Sequence, residues 1–269
     1  AKGLQAGECP DLWTLTHPEQ VRSIAESYIA AGSDIVETNS FGGSTINLQH
    51  YGLEGRTAEL NEMAAQLSRK AAGNDKFVVG SVGPTGKMLT MGDVSEDEMY
   101  QAFKTQVIAL ERGGVDAVCI ETMTDLDEAQ IAIRAAKENT NLEIICTFTF
   151  DAAGDNQFFT MMGVSPSQAA IAAVNAGADI IGSNCGNGIN NMVEITGQMR
   201  AAAPNTPIMI QANAGLPISE NGKLVFPETP EDMAALIPDL IQAGANIVGG
   251  CCGTTPAHIK AIKNVISNL

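Results

Sequence analysis

Basic side chains are scarce in this chain: 15 lysines and arginines stand against 31 aspartates and glutamates, a formal net charge of −16 over 269 residues. So acidic a surface repels phosphate backbones, which argues against nucleic acid as a partner. Long apolar runs are missing too. None reaches the roughly 18 residues of a membrane-spanning helix, so no membrane partner is expected. Residues 1–10 lack the charged-then-apolar pattern of an export signal, and a cytoplasmic location is expected. The first residue is Ala1 and not Met, so the natural chain is expected to extend upstream. Six cysteines are too sparse for a disulfide scaffold. Histidine is rarer still: His17, His50 and His258 each lie at or near a helix end, and surface positions are expected for all three. No His-Glu-x-x-His motif and no serine–histidine–aspartate grouping competes for the chemistry. No Gly-x-Gly-x-x-Gly turn is present to hold a dinucleotide or a nucleotide-type methyl donor.

What is present is a repeat. At 45% hydrophobic and 17% charged, the chain can bury a substantial core. One phrase recurs four times: Ala31-Gly32-Ser33-Asp34-Ile35-Val36, Gly113-Gly114-Val115-Asp116-Ala117-Val118, Ala176-Gly177-Ala178-Asp179-Ile180-Ile181 and Ala243-Gly244-Ala245-Asn246-Ile247-Val248. Each copy follows a helical pattern and opens a β-branched apolar run. That reads as a helix closed by glycine, a short turn and a buried parallel strand. Three more strand candidates lie between the copies, at 77–81, 143–148 and 207–211. Helical periodicity is clear over 18–30, 96–111, 126–138, 167–175, 231–242 and 257–266. Strict alternation predicts a parallel sheet with right-handed crossovers. The count is seven strand–helix units. The simplest completion is an eighth whose strand precedes Ala1, giving an α/β (β/α)₈ TIM barrel as a single domain over 1–269. An open doubly wound sheet is the alternative, disfavoured by the missing glycine-rich turn.

Barrel chemistry collects where strands end at their C-terminal side. Those ends hold Thr38-Asn39-Ser40-Phe41, Gly83-Pro84-Thr85-Gly86, Glu121-Thr122, Ser183-Asn184-Cys185, Gln211-Ala212-Asn213 and Gly249-Gly250-Cys251-Cys252-Gly253. Cys119 and Cys146 fall inside apolar runs and read as core thiols, while Cys9 has no assigned role. Cys185, Cys251 and Cys252 remain. Neighbouring residues of a strand face opposite ways, so two adjacent cysteines reach one metal only if the chain leaves strand geometry there. Gly249, Gly250 and Gly253 supply that freedom. Three converging thiolates suit Zn²⁺ and leave a fourth position for a substrate. Three free thiols, or a vicinal disulfide between Cys251 and Cys252, are the other readings of the same residues. A thiolate-rich zinc is suited to deprotonating a substrate thiol, which then attacks an electrophilic carbon.

The string Gly249-Gly250-Cys251-Cys252-Gly253-Thr254-Thr255-Pro256, with Ser183-Asn184-Cys185 upstream, resembles the homocysteine S-methyltransferase family. Glu37-Thr38-Asn39-Ser40-Phe41-Gly42, Gly83-Pro84-Thr85-Gly86, Ile120-Glu121-Thr122 and Ala212-Asn213-Ala214-Gly215-Leu216-Pro217 follow in the family's order. The phrases around Asn39 and Asn213 are most similar to the homocysteine-binding barrel of the cobalamin-dependent methionine synthase branch. The resemblance implies a zinc-dependent enzyme that methylates homocysteine, or a related thiol, to methionine. It implies Cys185, Cys251 and Cys252 as zinc ligands and Asn213 as a fourth ligand when substrate is absent. It implies Glu121 on the homocysteine amino group, Thr38, Asn39, Ser40 and Phe41 lining the amino-acid pocket, and Asn184 helping to place the substrate. The family's first strand, with its Asp-Gly segment, is not in this sequence. The Asn156-Gln157-Phe158-Phe159-Thr160-Met161-Met162-Gly163 segment stands where that branch carries a Gly-Arg-Thr-like stretch. No Asp-x-His-x-x-Gly corrinoid phrase is present, so methylcobalamin is expected to act indirectly, through a corrinoid-binding partner protein or domain. A corrinoid-linked demethylase of another small methylated compound, and a non-catalytic zinc-stabilised binding barrel, are the competing readings.

Overall fold

The recurring glycine–aspartate phrase builds the same joint in different parts of the chain. Gly32, Gly114, Gly177 and Gly244 all have positive φ, between 94° and 120°. Side chains are strained there, so glycine closes each helix. The computed structural model describes residues 3–220 and 223–269. Its main sheet holds seven strands in chain order: β1 (Ile35–Glu37), β2 (Phe77–Val82), β3 (Ala117–Met123), β4 (Glu143–Phe148), β5 (Ile180–Asn184), β6 (Ile208–Ala212) and β7 (Ile247–Gly250). The registered pairs are parallel, for instance Ile35 with Phe77, Val79 with Ala117 and Ile181 with Ile208. Parallel strands in sequence order, each followed by helix, define the (β/α)-barrel class. The main sheet has seven strands among the described residues, as the unit count requires.

The chain divides into two compact units. The first comprises Ala1–Ala30, Asp34–Glu121 and Asp127–Ile144; the second comprises Ala31–Ser33, Thr122–Leu126 and Ile145–Leu269. In the first unit, helix Thr57–Ala72 packs beside helices Pro18–Ala30 and Glu96–Gly113. Leu60, Leu48 and Cys9 form one of its buried clusters, which gives Cys9 a packing role. In the second, helix Ile189–Ala202 packs beside Pro166–Ala176 and Ile237–Ala243. Cys119 and Cys146 are fully buried in β3 and β4, as core thiols should be. No helix among the described residues is long and apolar enough to cross a membrane.

Each unit carries the joint in full. In the first, the Asp116 carboxylate accepts from Val78 N at 2.7 Å and from the Arg69 guanidinium, which also donates to the carbonyls of Gly114, Gly73 and Lys76. In the second, Asn246 Oδ1 accepts from Ile208 N at 3.0 Å and from Arg200 at 2.8 Å. Arg200 also donates to the carbonyls of Ala203, Pro204, Thr206 and Gly244. A rigid five-donor fork serves a helix end, the next strand's start and the following phrase together. Arg200→Ala strands those acceptors and is expected to cost about 2–3 kcal/mol. The denaturation midpoint of the variant measures it, and an unshifted midpoint would refute the joint's importance.

Two sequence expectations change. The helix expected over 231–242 is two helices, Pro230–Ala235 and Ile237–Ala243, because Pro238 has no N–H and its ring crowds the preceding turn. His258 is not on the surface but buried, at 6% exposure. It fills the third position of a capping box, its Nδ1 accepting from Thr255 N at 3.1 Å. The other ring nitrogen then carries the hydrogen and donates to Glu228 O at 3.1 Å. His17 and His50 are exposed.

Candidate metal centre

β5 and β7 stop where the chemistry begins. After Asn184 the chain turns at Cys185, a non-glycine residue with φ of 58°, and continues left-handed through Gly186. After Gly250, residues 251–254 form a turn closed by Thr254 N and Oγ1 on Cys251 O, at 3.2 and 2.7 Å. This break in strand geometry lets two adjacent cysteines face one point. Two glycines make it possible, for different reasons. Gly253 has φ of 81°, while a Cβ on Gly250 would lie 2.4 Å from Thr254. Gly249, in ordinary strand geometry, meets no such constraint.

The loop between the two cysteine turns locks them. Cys185 N donates to Gln211 O at 3.1 Å, Cys251 N to Ala212 O at 2.8 Å and Ala214 N to Cys252 O at 3.0 Å. Asn213 Oδ1 accepts from Cys252 N at 2.9 Å, and Asn213 N donates to Asn187 O at 3.0 Å. The three sulfurs of Cys185, Cys251 and Cys252 lie within 4.8 Å of one another, and those of Cys185 and Cys252 are 3.7 Å apart. Two sulfurs bound tetrahedrally to zinc at about 2.3 Å stand about 3.8 Å apart. None of the three is joined in a disulfide. Hydrogen bonding from Cys251, and then from Gly186 N–H, Cys252 and Asn213, brings the Cys185 thiol down to about 5 against the opposing effect of burial. The donor set fits a zinc ion: three soft sulfurs within 4.8 Å of one another, one pair of them at tetrahedral spacing.

Asn184 lies at the C-terminal end of β5, one residue before Cys185. It is 1% exposed, and its carboxamide bonds Thr122, Thr147 and Cys251.

The other expected site residues belong to the first unit. Glu121, near the C-terminal end of β3, is buried, and its carboxylate accepts from the Ser81 hydroxyl. Thr38 Oγ1 lies 2.5 Å from Ser40 Oγ and accepts from Ser81 N at 3.0 Å, while Ser40 Oγ donates to Ser81 O at 2.7 Å. Asn39 Nδ2 donates to Pro10 O at 2.8 Å, so this side chain anchors its loop. The Phe41 ring lies over Gly83, where an added Cβ would meet it at 2.7 Å. Sequence reading missed three buried supports. Gln106 donates to Ser40 O at 2.8 Å; Glu128 accepts from Thr85 N and Oγ1 at 2.7 and 2.6 Å. Burial pushes the Asp11 carboxyl up to about 6, against hydrogen bonds from its own backbone and that of Gly42.

A barrel-class fold with a three-cysteine centre at its strand ends matches what sequence comparison finds. The profile of the homocysteine S-methyltransferase family matches residues 2–266, and the chain belongs to that family. Methionine synthase of Mycobacterium tuberculosis (strain ATCC 25618 / H37Rv) is 30% identical over 281 aligned positions, covering 100% of this chain and 23% of the relative. Methionine synthase of Mycobacterium leprae (strain TN) is 30% identical, covering 99% of this chain and 22% of the relative. The chain thus spans less than a quarter of the length of these curated relatives. Among solved structures, the metallated form of the homocysteine methyltransferase MmuM from Escherichia coli superposes with a TM-score of 0.78 at 23% identity. That match covers 98% of this chain and 91% of MmuM, and it establishes the shared fold.

Proposed function

We propose that residues 1–269 act as one homocysteine-binding domain, which methylates homocysteine to methionine with a methyl group drawn from a methyl-corrinoid protein or domain. The observation that carries this reading is the trio of sulfurs within 4.8 Å of one another in a chain of the homocysteine S-methyltransferase family. Cys185, Cys251 and Cys252 would hold the ion, with the Asn213 carboxamide beside them as fourth donor when no substrate is bound. Zinc, when bound, supplies a Lewis acid whose open position accepts a thiol as its thiolate. Glu121 offers a buried anion to the substrate ammonium, and Ser81 orients it. Thr38, Ser40 and Phe41 shape the amino-acid pocket, and Asn39 holds their loop. The kinship with methionine synthases supports a corrinoid donor over betaine or S-methylmethionine.

Methyl transfer to homocysteine from methylcobalamin, betaine and S-methylmethionine in parallel tests the donor. Methionine is expected from methylcobalamin alone, and transfer only from betaine or S-methylmethionine would overturn it. A second measurement tests the sulfur chemistry. A neutral thiol that binds as thiolate must shed its proton. Calorimetry of homocysteine binding should therefore vary with the ionisation enthalpy of the buffer near neutral pH. Heats that do not depend on the buffer would rule out thiolate ligation.

A further inference from the structure

We propose that Asn184 is a positioning residue of the metal centre, which donates a side-chain N–H to the Cys251 sulfur while fixing the left-handed backbone of Thr122. The inference rests on reading the three cysteines as a metal site.

The geometry settles which end of the carboxamide points where. The backbone N–H of Thr122 is a donor, and it lies 2.8 Å from one carboxamide atom, which must therefore be the oxygen. The Thr147 hydroxyl, from β4, lies 2.7 Å from the same oxygen. The nitrogen then faces Thr122 Oγ1 at 2.7 Å and Cys251 Sγ at 3.9 Å, the latter within reach for the larger sulfur atom. One buried side chain thus draws together β3, β4 and the turn after β7. Thr122 has φ of 61°, a region β-branched residues rarely enter. Its two bonds with Asn184, one donated and one accepted, hold it there.

An N–H directed at a ligating sulfur withdraws charge from it and fixes its lone pairs. Partners of this kind tune a metal's affinity and reactivity without touching it. Asparagine suits the position because it supplies an acceptor and a donor from one planar group. Aspartate has the same shape and keeps the acceptor, but it loses the donor.

The variant N184D separates positioning from structure, because it keeps the bonds from Thr122 N and Thr147. Circular dichroism first establishes that it folds. Zinc affinity, from competition with a chromophoric chelator, is expected to fall about 10- to 100-fold. In cobalt-substituted protein the sulfur-to-metal charge-transfer band should move to lower energy, since the sulfur loses its hydrogen bond. The control T147V removes one acceptor contact, leaves the N–H···S bond and should match the parent in both readouts. In the parent chain loaded with cadmium-113, the Asn184 side-chain protons should show a coupling to the metal through the Cys251 sulfur. A folded N184D with parental zinc affinity and an unmoved cobalt band would overturn the inference, and so would a missing cadmium coupling. If N184D does not fold, the cadmium spectrum of the parent decides alone. A parent chain that takes up no metal overturns the metal reading and this inference together. A metal-loaded parent with an unaffected N184D overturns the inference only.

Discussion

Cys251→Ala is expected to purify with essentially no zinc, where the parent chain carries about one ion. The sulfurs of Cys185, Cys251 and Cys252 gather at this point, and the substitution would leave two of them and the carboxamide of Asn213. Metal affinity at thiolate-rich sites is on the order of 10–16 kcal/mol, and losing a charged ligand removes a large share of it. Methyl transfer to homocysteine should fall below detection in the same variant. Cys119→Ala removes a thiol buried in β3 and should keep its zinc, though it leaves a small cavity. Elemental analysis of both proteins, purified under reducing conditions, checks the pair. A Cys251→Ala protein that retains stoichiometric, tightly held zinc would remove Cys251 from the donor set.

Glu121→Ala is expected to do the reverse. Its zinc content should equal the parent's, while homocysteine binding weakens about ten- to a hundredfold. A charge-assisted hydrogen bond to a desolvated ammonium is worth roughly 1.5–3 kcal/mol, which converts to that range. The carboxylate is buried and accepts from the Ser81 hydroxyl. Titration of metal-loaded variant and parent with homocysteine gives the comparison. Unchanged affinity would mean that the acceptor is not held by its amino group. The reading as a demethylase of another small compound would then gain ground.

The strands were legible because their start is written in side chains. Glycine in the recurring phrase accepts positive φ, and Asp116 or Asn246 then accepts from the strand next door, so the same letters recur wherever the joint is built. The cysteine pair was legible because a turn between glycines is the one local device that aims adjacent side chains together. Helix Thr57–Ala72 was harder to read. Its buried face carries Thr57, Asn61 and Ser68 among the apolar residues, which blurs the period. His258 was misread because a capping box usually has Glu or Gln at its third position, and imidazole does the same work here. Gln106 and Glu128 could not be found at all. Their partners lie 66 and 43 residues away in sequence, and nothing local marks a helical glutamine or glutamate as a brace for a distant loop.

The Cys185, Cys251 and Cys252 sulfurs, with Asn213 and Asn184, all come from the second unit, whereas Glu121, Ser81 and residues 38–41 come from the first. On the proposed assignment, the metal ligands and the residues for the amino group are therefore written in different stretches of the sequence. On that assignment, mutations that reshape Thr38, Ser40, Phe41 or Glu121 would change which thiol is admitted while leaving the three cysteines untouched. A scaffold divided in this way can acquire new acceptors by drift in one half of its sequence, without rebuilding the ion's surroundings each time.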